Sequence, residues 1–184
     1  MKKFVKASLI SVAVFSGFII LVLSLYISIS LIKYSSSNIN NDLLSSKALN
    51  IEIYDNDNNK IKEENTFNTS YVKLSTLPNY VKEAFISIED KDFYSHHGIN
   101  YSRIIKALIN NIKSFSYKEG ASTISQQLIK NTHLSGEKTI TRKLKEIALT
   151  KKLEKEYSKD QILEFYLNVI YFGNNNYCIE EASN

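Results

Sequence analysis

The 184-residue chain contains little proline, glycine or cysteine, and each shortage excludes a class of protein. One proline and five glycines are too few for a β-sandwich or barrel, whose frequent tight turns use both residues. The single cysteine, Cys178, excludes an internal disulfide and a cysteine-rich metal site. The net charge of +4 is small, but basic residues concentrate between Lys130 and Lys155. We therefore expect a mainly helical protein with one basic segment.

One long apolar run lies near the N-terminus, with no charged residue between Lys6 and Lys33. As a helix, residues 9–32 would extend about 36 Å, enough to cross a hydrocarbon core of about 30 Å. The lysines before the run favour a cytoplasmic N-terminus and an extracellular remainder. A cleaved signal peptide is the alternative, but its apolar region would be shorter, about 7–15 residues, and would end at a small-residue site. We predict a cytoplasmic tail (1–8) and an uncleaved, single-pass membrane anchor (9–32).

After the anchor, the sequence pattern indicates a polar linker, then a β-hairpin and then helices. Residues 33–50 are polar and rich in serine and asparagine, which predicts a juxtamembrane linker. Ile51–Tyr54 and Lys60 with Ile61 flank an Asp- and Asn-rich turn, so a small β-hairpin is expected near the membrane. From Pro78 onward the apolar residues follow a helical period.

Several helices can be outlined from that period. We expect a first stripe to face a core and a second amphipathic helix to follow Gly98. Two later helices start with a Thr or Ser followed three residues on by Gln, the spacing of a capping box. The segments are the stripe Val81, Ala84, Phe85 and Ile88; the helix from Tyr101 to Phe115; the caps Thr123 with Gln126 and Ser158 with Gln161; the basic helix from Thr139 to Tyr157; and a buried helix after Gln161.

Five segments stand out as motifs. They read EDKDFYSHHG from Glu89, GASTISQQL from Gly120, RKLKE from Arg142, KDQILEFYLN from Lys159 and a partial YFGN from Tyr171. In this order they resemble the glycosyltransferase domain of class A penicillin-binding proteins and of monofunctional transglycosylases. One motif alone would be weak, but four nearly complete motifs in order are specific.

The resemblance covers residues 51–184 and implies a lysozyme-like, mainly helical fold. It implies an inverting peptidoglycan glycosyltransferase that acts on lipid II at the outer membrane surface. The growing glycan would pass from undecaprenyl diphosphate to the 4-hydroxyl of the next lipid-linked disaccharide. The partners implied are lipid II, the nascent glycan strand, membrane lipid and other cell-wall synthesis proteins, and no nucleic acid.

The chemistry of this reaction suggests roles for the charged motif residues. A sugar hydroxyl is a poor nucleophile, so a carboxylate that takes its proton accelerates the reaction, and Glu89 matches the family position for that base. A diphosphate leaves without protonation but needs nearby cations. Glu146 matches the family's second glutamate and is predicted as the second catalytic residue. It lies one turn after Arg142 and is able either to orient it or to hold a divalent cation such as Mg or Mn, although the sequence requires no cofactor. The basic residues matching family positions are Lys130, Lys138, Arg142 and Lys143.

The other motif residues divide into two groups by the same resemblance. One group would contact the substrate, in part while capping a helix, and the second would support the site. His96 is expected to be a structural hydrogen-bonding residue rather than a base. The predicted substrate-binding residues are Asp90, Ser122, Thr123, Gln126 and Gln127. The predicted supporting residues are Phe93, His96, Gly98, Glu164 and Asn168.

Two departures from the family pattern raise alternatives. Cys178 stands where the family commonly has glycine, which would be costly if that position has a positive φ. The chain ends at Asn184, where the family continues, so we expect a C-terminally incomplete domain that does not bind penicillin. A truncated, inactive relative that only binds lipid II is therefore the main alternative function. A lysozyme-like hydrolase is disfavoured, because a basic cluster does nothing for cleavage of a neutral glycan.

Overall fold

The computed structural model describes residues 2–44, 51–55, 60–64, 71–114, 120–173 and 176–183. Most of these residues are helical, which confirms the mainly α fold. Two antiparallel strand pairs complete the described structure. The helices are α1 (Lys2–Ser35), α2 (Asn41–Leu44), α3 (Asn79–Glu89), α4 (Tyr101–Ser114), α5 (Ile124–His133), α6 (Ile140–Glu156), α7 (Lys159–Val169) and α8 (Ile179–Ser183), with a 3-10 turn at Leu74–Thr76.

Strands β1 (Ile51–Tyr54) and β2 (Lys60–Glu64) form the hairpin expected near the membrane. The turn residues 56–59 lie outside the described part of the chain. A second pair, β3 (Tyr171–Gly173) and β4 (Asn176–Tyr177), follows α7. Only helices were expected after Pro78. This strand pair was therefore not predicted, because its strands are too short to show an alternating pattern.

Helix α1 contains the apolar run, and its segment Ile10–Ser35 is long and apolar enough to cross a membrane. Helix α6 lies along the C-terminal part of α1. The Tyr26 hydroxyl lies 3.3 Å from Thr141 Oγ1, and Lys152 Nζ donates to the Ser37 carbonyl at 2.9 Å. Both contacts join residues 115 positions apart, so the two helices run parallel. The basic helix is thereby held beside the end of the membrane span.

The core forms where α5 and α7 pack together, with α6 alongside. The two predicted capping boxes are present: Thr123 with Gln126 starts α5, and Ser158 with Gln161 starts α7. Within the predicted linker, residues 41–44 form α2, whose Leu44 is buried in this core. The fully buried apolar side chains include Phe93, Ile124, Leu128, Ile129, Leu149, Leu153, Ile162, Leu163, Tyr166 and Leu167.

Polar side chains of α7 hold the segment that leads into α3. Glu164 accepts hydrogen bonds from the Tyr71 hydroxyl at 2.8 Å and from the Leu74 N–H at 2.7 Å. The Asn168 side chain bonds both the N–H and the carbonyl of Val72, each at 2.8 Å. Because the backbone of residues 72–74 runs outside regular structure, these side chains satisfy polar groups that would otherwise lack partners.

Two apolar stripes differ from the expectation. The α3 stripe faces the core only in part: Phe85 packs against it, whereas Ile88 is 77% exposed and no α3 residue is fully buried. On α4, Ala107 is buried, whereas the large apolar side chains point outward. The spacing correctly predicted amphipathic helices, but spacing does not specify what an apolar face contacts. Phe115 lies outside the described residues.

Three described residues have the left-handed backbone that favours glycine: Gly98, Gly173 and Cys178. Cys178 is fully buried with φ of 81°, so the residue at this family glycine position adopts a backbone conformation that is costly for residues other than glycine. Gly98 has φ of 85°, and a Cβ there would lie 2.8 Å from Thr150 Cγ2 and 2.9 Å from Glu154 Cγ. The Gly98 carbonyl also accepts from Thr123 Oγ1 at 2.6 Å. The loop after α3 therefore approaches α5 and α6 at a point where only glycine fits.

Replacement of Gly98 by alanine is predicted to lower the free energy of unfolding by about 2–4 kcal/mol, through backbone strain and overpacking. The measurement is urea denaturation of the full chain in detergent, followed by circular dichroism. Gly136→Ala is the control, since nothing lies within 4 Å of a Cβ at that position. Equal stability of the two variants would contradict the close approach at Gly98.

Candidate active site

The predicted base, Glu89, is the last residue of α3 and reaches the side of α5. Gln127 Nε2 donates a hydrogen bond to Glu89 Oε2 at 2.8 Å. The other oxygen, Oε1, has no hydrogen-bond partner within the described part of the chain. Arg103 Nη1 donates to the Glu89 carbonyl, which fixes the backbone. Glu89 is partly exposed, so one carboxylate oxygen is oriented while the other remains available to a substrate hydroxyl.

The second glutamate, Glu146, is 1% exposed and lies on α6. Its Oε1 accepts from Lys143 Nζ and from Gln126 Nε2, the latter at 3.2 Å. Its Oε2 accepts from Arg142 Nη1 at 3.3 Å. A buried carboxylate paired with two cations leaves local positive charge and holds both cations in place. These contacts fit the orienting role predicted for Glu146 better than the alternative of a divalent cation, because both carboxylate oxygens already accept from protein donors.

Adjacent glutamines of α5 join the two glutamates. Gln127 bonds Glu89, and Gln126 bonds Glu146. Gln126 is the third residue of α5 and forms the capping box with Thr123. Gln126 is only 2% exposed, and Thr123 is fully buried. Thr123 and Gln126 were both predicted to contact substrate as well as to cap the helix. In this structure the burial leaves them with capping and positioning contacts, because their polar atoms face other protein groups.

Asp90 differs most from its predicted role as a substrate-binding residue. Its carboxylate is 0% exposed, and Oδ2 accepts from the Ile124 N–H at 3.1 Å and from His96 Nε2 at 2.8 Å. His96 Nδ1 accepts from the Gly98 N–H at 3.1 Å, so the ring proton is on Nε2. Asp90 and His96 thus tie the end of α3 to the start of α5.

The remaining predicted cations lie at the end of α5 and just before α6. Lys130 is exposed in the last turn of α5, and Lys138 is exposed just before α6 begins. Neither has a hydrogen bond or ion pair with another described residue. Arg142 Nε is buried without a hydrogen-bond partner among the described residues, and Ser122 is half-buried before α5. Lys138 and Arg142 lie at the positive end of the α6 dipole, a position suited to phosphate oxygens.

Two further residues contribute to the site and were not predicted from the sequence. Arg103 lies outside every motif that we singled out, yet it contacts the Glu89 carbonyl and lies 3.9 Å from Asp90 Oδ1. The buried Tyr166 hydroxyl donates to Gln127 Oε1 at 3.4 Å. Burial, together with the nearby charge of Glu89, raises the pKa of Tyr166 above its ordinary value, so the hydroxyl remains a donor. Its donation orients the Gln127 amide towards Glu89.

The supporting residues expected from the motifs occupy structural positions. Phe93 is fully buried, and Lys159 Nζ lies 4.5 Å from its ring centroid. Gly98, Glu164 and Asn168 make the backbone contacts described above. Within the described ranges, no three His, Cys, Asp or Glu side chains come together as a metal site. Glu146 in particular fits a metal poorly, because both its oxygens already accept from protein donors.

Known proteins share this arrangement of motifs. A family model described as transglycosylase matches residues 57–184. The chain belongs to the transglycosylase family. Within this family, penicillin-binding protein 1A/1B of Bacillus subtilis is 48% identical over 131 residues, covering 71% of this chain and 14% of that relative. A monofunctional glycosyltransferase of Staphylococcus epidermidis is 47% identical over 116 residues, covering 63% of this chain and 43% of that protein.

A further transglycosylase relative, penicillin-binding protein 1F of Bacillus subtilis, is 43% identical over 132 residues. That match covers 72% of this chain and 18% of the relative. The chain thus spans less than half the length of each of these three proteins. The site residues from Glu89 to Asn168 all lie inside the segment matched by the family model.

If the chain catalyses the glycan polymerisation expected from its sequence, replacement of Gln127 by methionine is predicted to lower the rate constant kcat at least about tenfold, or about 1.4 kcal/mol. Methionine has a similar shape but cannot donate to Glu89, so the carboxylate loses its fixed orientation. Steady-state turnover of lipid II in detergent measures the effect. Tyr166→Phe, which removes only the longer 3.4 Å bond, should cost less. A larger loss in Tyr166→Phe than in Gln127→Met would contradict this order.

Proposed function

We propose that the chain is a single-pass membrane protein whose extracellular domain polymerises lipid II into peptidoglycan glycan strands, releasing undecaprenyl diphosphate. The observation that carries the proposal is the pair of adjacent α5 glutamines, which holds a partly exposed carboxylate, Glu89, and a buried one, Glu146, in a single site. The family and the names of its relatives support the reaction class. The apolar helix α1 supports the membrane anchor.

In the proposed reaction, Glu89 acts as the general base. Its free Oε1 accepts the proton of the 4-hydroxyl on the incoming disaccharide while that oxygen attacks the anomeric carbon of the growing strand. Attack from the face opposite the diphosphate inverts the configuration. Gln127 holds Oε2, so the carboxylate does not rotate away during proton transfer, and a positioned base of this kind contributes about 10²–10⁴ in rate.

The leaving diphosphate needs cations rather than an acid. Arg142 and Lys143, held by Glu146, together with the exposed Lys130 and Lys138, would bind its oxygens as negative charge develops. This arrangement supplies positive charge from side chains, so the proposed reaction does not require Mg or Mn. The membrane location also fits, because α6 packs along α1 and keeps the cations next to the bilayer that holds the lipid substrate.

The partners follow from this reaction. The proposed substrates are lipid II and the nascent glycan strand, and membrane lipid surrounds the anchor. Other cell-wall synthesis proteins are plausible partners in the same membrane. The positive-inside rule supports a cytoplasmic N-terminus and places the site on the extracellular side, where the strand is built.

Replacement of Glu89 by glutamine is predicted to lower polymerisation at least about a hundredfold, because the amide keeps the shape but cannot take a proton. Purified full chain in detergent is incubated with lipid II, and glycan ladders are separated on gels. Glu83→Gln, exposed on the same helix α3, is the control and should keep parental activity.

Near-normal turnover in Glu89→Gln would remove Glu89 as the base. A folded parent protein that binds lipid II but makes no polymer would instead support the alternative, a binding-only relative. Lipid II binding and polymer formation are measured on the same samples. Circular dichroism must show helical protein in each of them.

A further inference from the structure

A second cavity, of about 910 Å³, lies between the loop after α3 and the C-terminal half of α6. Its lining contains none of the residues assigned above to the reaction or to the diphosphate. The start of α4 forms one wall, and residues in the last two turns of α6 form another. The lining residues used below are Asp92, Tyr101, Ser102, Lys106, Lys151 and Lys155, together with Asn100 and Glu154.

The α4 wall presents hydrogen-bond donors. Asn100 precedes α4, and its side chain accepts from the Arg103 N–H at 2.9 Å. The N–H groups of Tyr101 and Ser102, the first two residues of the helix, have no hydrogen-bond partner among the described residues. The first N–H groups of a helix lie at the positive end of its dipole and bind anions readily. Lys106 stands one turn further along the same cavity.

The charge in the cavity is positive. Lys106 comes from α4, while Lys151 and Lys155 project from one face of α6. None of the three has an ion pair or hydrogen bond with a residue that the structure describes. The two carboxylates of the lining are engaged elsewhere: Asp92 accepts from Asn100 Nδ2 at 3.0 Å, and Glu154 accepts from Lys159 Nζ at 2.8 Å. Three ammonium groups beside a helix N-terminus match the chemistry of a phosphate group.

Apolar surface lies on both sides of these cations. Lys151 and Lys155 also line a neighbouring groove with Leu31, Ile32 and Ser35 of α1, at the end of the segment able to cross a membrane. On the other side, α4 exposes a row of large apolar side chains. That row comprises Ile105 (58% exposed), Leu108 (58%), Ile109 (45%) and Ile112 (63%). A phosphate site flanked by apolar helices suits an anionic amphiphile better than a soluble phosphate.

We propose that this cavity binds the phosphate of an anionic phospholipid such as phosphatidylglycerol, with Lys106, Lys151, Lys155 and the α4 N-terminus as ligands. The acyl chains then lie against α1 and the apolar face of α4. The inference rests on the membrane anchoring in the proposed function, but it concerns a site distinct from the one that contains Glu89. A bound lipid would fix the orientation of the domain on the bilayer surface.

The test measures lipid binding to the purified full chain in detergent by native mass spectrometry, titrating phosphatidylglycerol or the zwitterionic phosphatidylcholine. The parent protein should retain phosphatidylglycerol preferentially. Lys151→Gln/Lys155→Gln should weaken that binding roughly thirtyfold, since each lysine near a lipid surface contributes about a factor of five. The control Lys73→Gln/Lys82→Gln removes two positive charges at positions outside the cavity lining. This variant should bind lipid as the parent does.

A second arm separates a lipid from a soluble ligand. Glycerol phosphate, which carries the headgroup of phosphatidylglycerol without the acyl chains, should not displace the lipid at equal concentration. Displacement would overturn the lipid assignment, and so would equal retention of both lipids or equal losses in the two double variants.

Lipid II polymerisation in detergent is measured on the same samples. It should be unchanged by Lys151→Gln/Lys155→Gln, because neither residue belongs to the reaction site. Lysine-dependent lipid binding in a parent protein that makes no polymer would support the lipid site while counting against the proposed enzyme.

Discussion

The buried carboxylate of Asp90 is the constraint on which the site depends. A charge without solvent exposure is costly unless it is hydrogen-bonded and paired. Here the partners come from three parts of the chain: the Ile124 N–H at the positive end of α5, the His96 ring, and the Arg103 guanidinium 3.9 Å away. Satisfying this one carboxylate therefore requires the end of α3, the following loop and the start of α5 to meet.

Once α3 and α5 meet in this way, the order of residues along α5 determines the rest. Gln126 and Gln127 are neighbours in sequence, so their side chains point in different directions, one towards Glu146 and the other towards Glu89. Tyr166 of α7 supports the Gln127 amide from behind. The chemistry thus divides between a partly exposed base and a buried carboxylate that organises cations. Both glutamates accept a hydrogen bond from the helix between them.

Local features of this fold could be predicted from sequence, and long-range ones could not. The Thr123 and Ser158 capping boxes and the membrane-spanning length of α1 depend on residues close in sequence, so spacing was sufficient. By contrast, the burial of Asp90, the role of Arg103 and the exposure of Ile88 depend on which distant elements pack together. Spacing along one helix carries no such information, and the short β3–β4 pair has too few residues for a pattern.

The most direct test of this account is the steady-state kinetics of lipid II polymerisation by an Asp90→Asn variant that is shown to be folded. Asparagine keeps the shape but removes the charge that pairs with His96 and Arg103. If Asp90 acts by positioning Glu89, kcat should fall about tenfold or more while KM stays near the parental value. A raised KM with unchanged kcat would instead mean that Asp90 contacts the substrate, and would contradict the central claim.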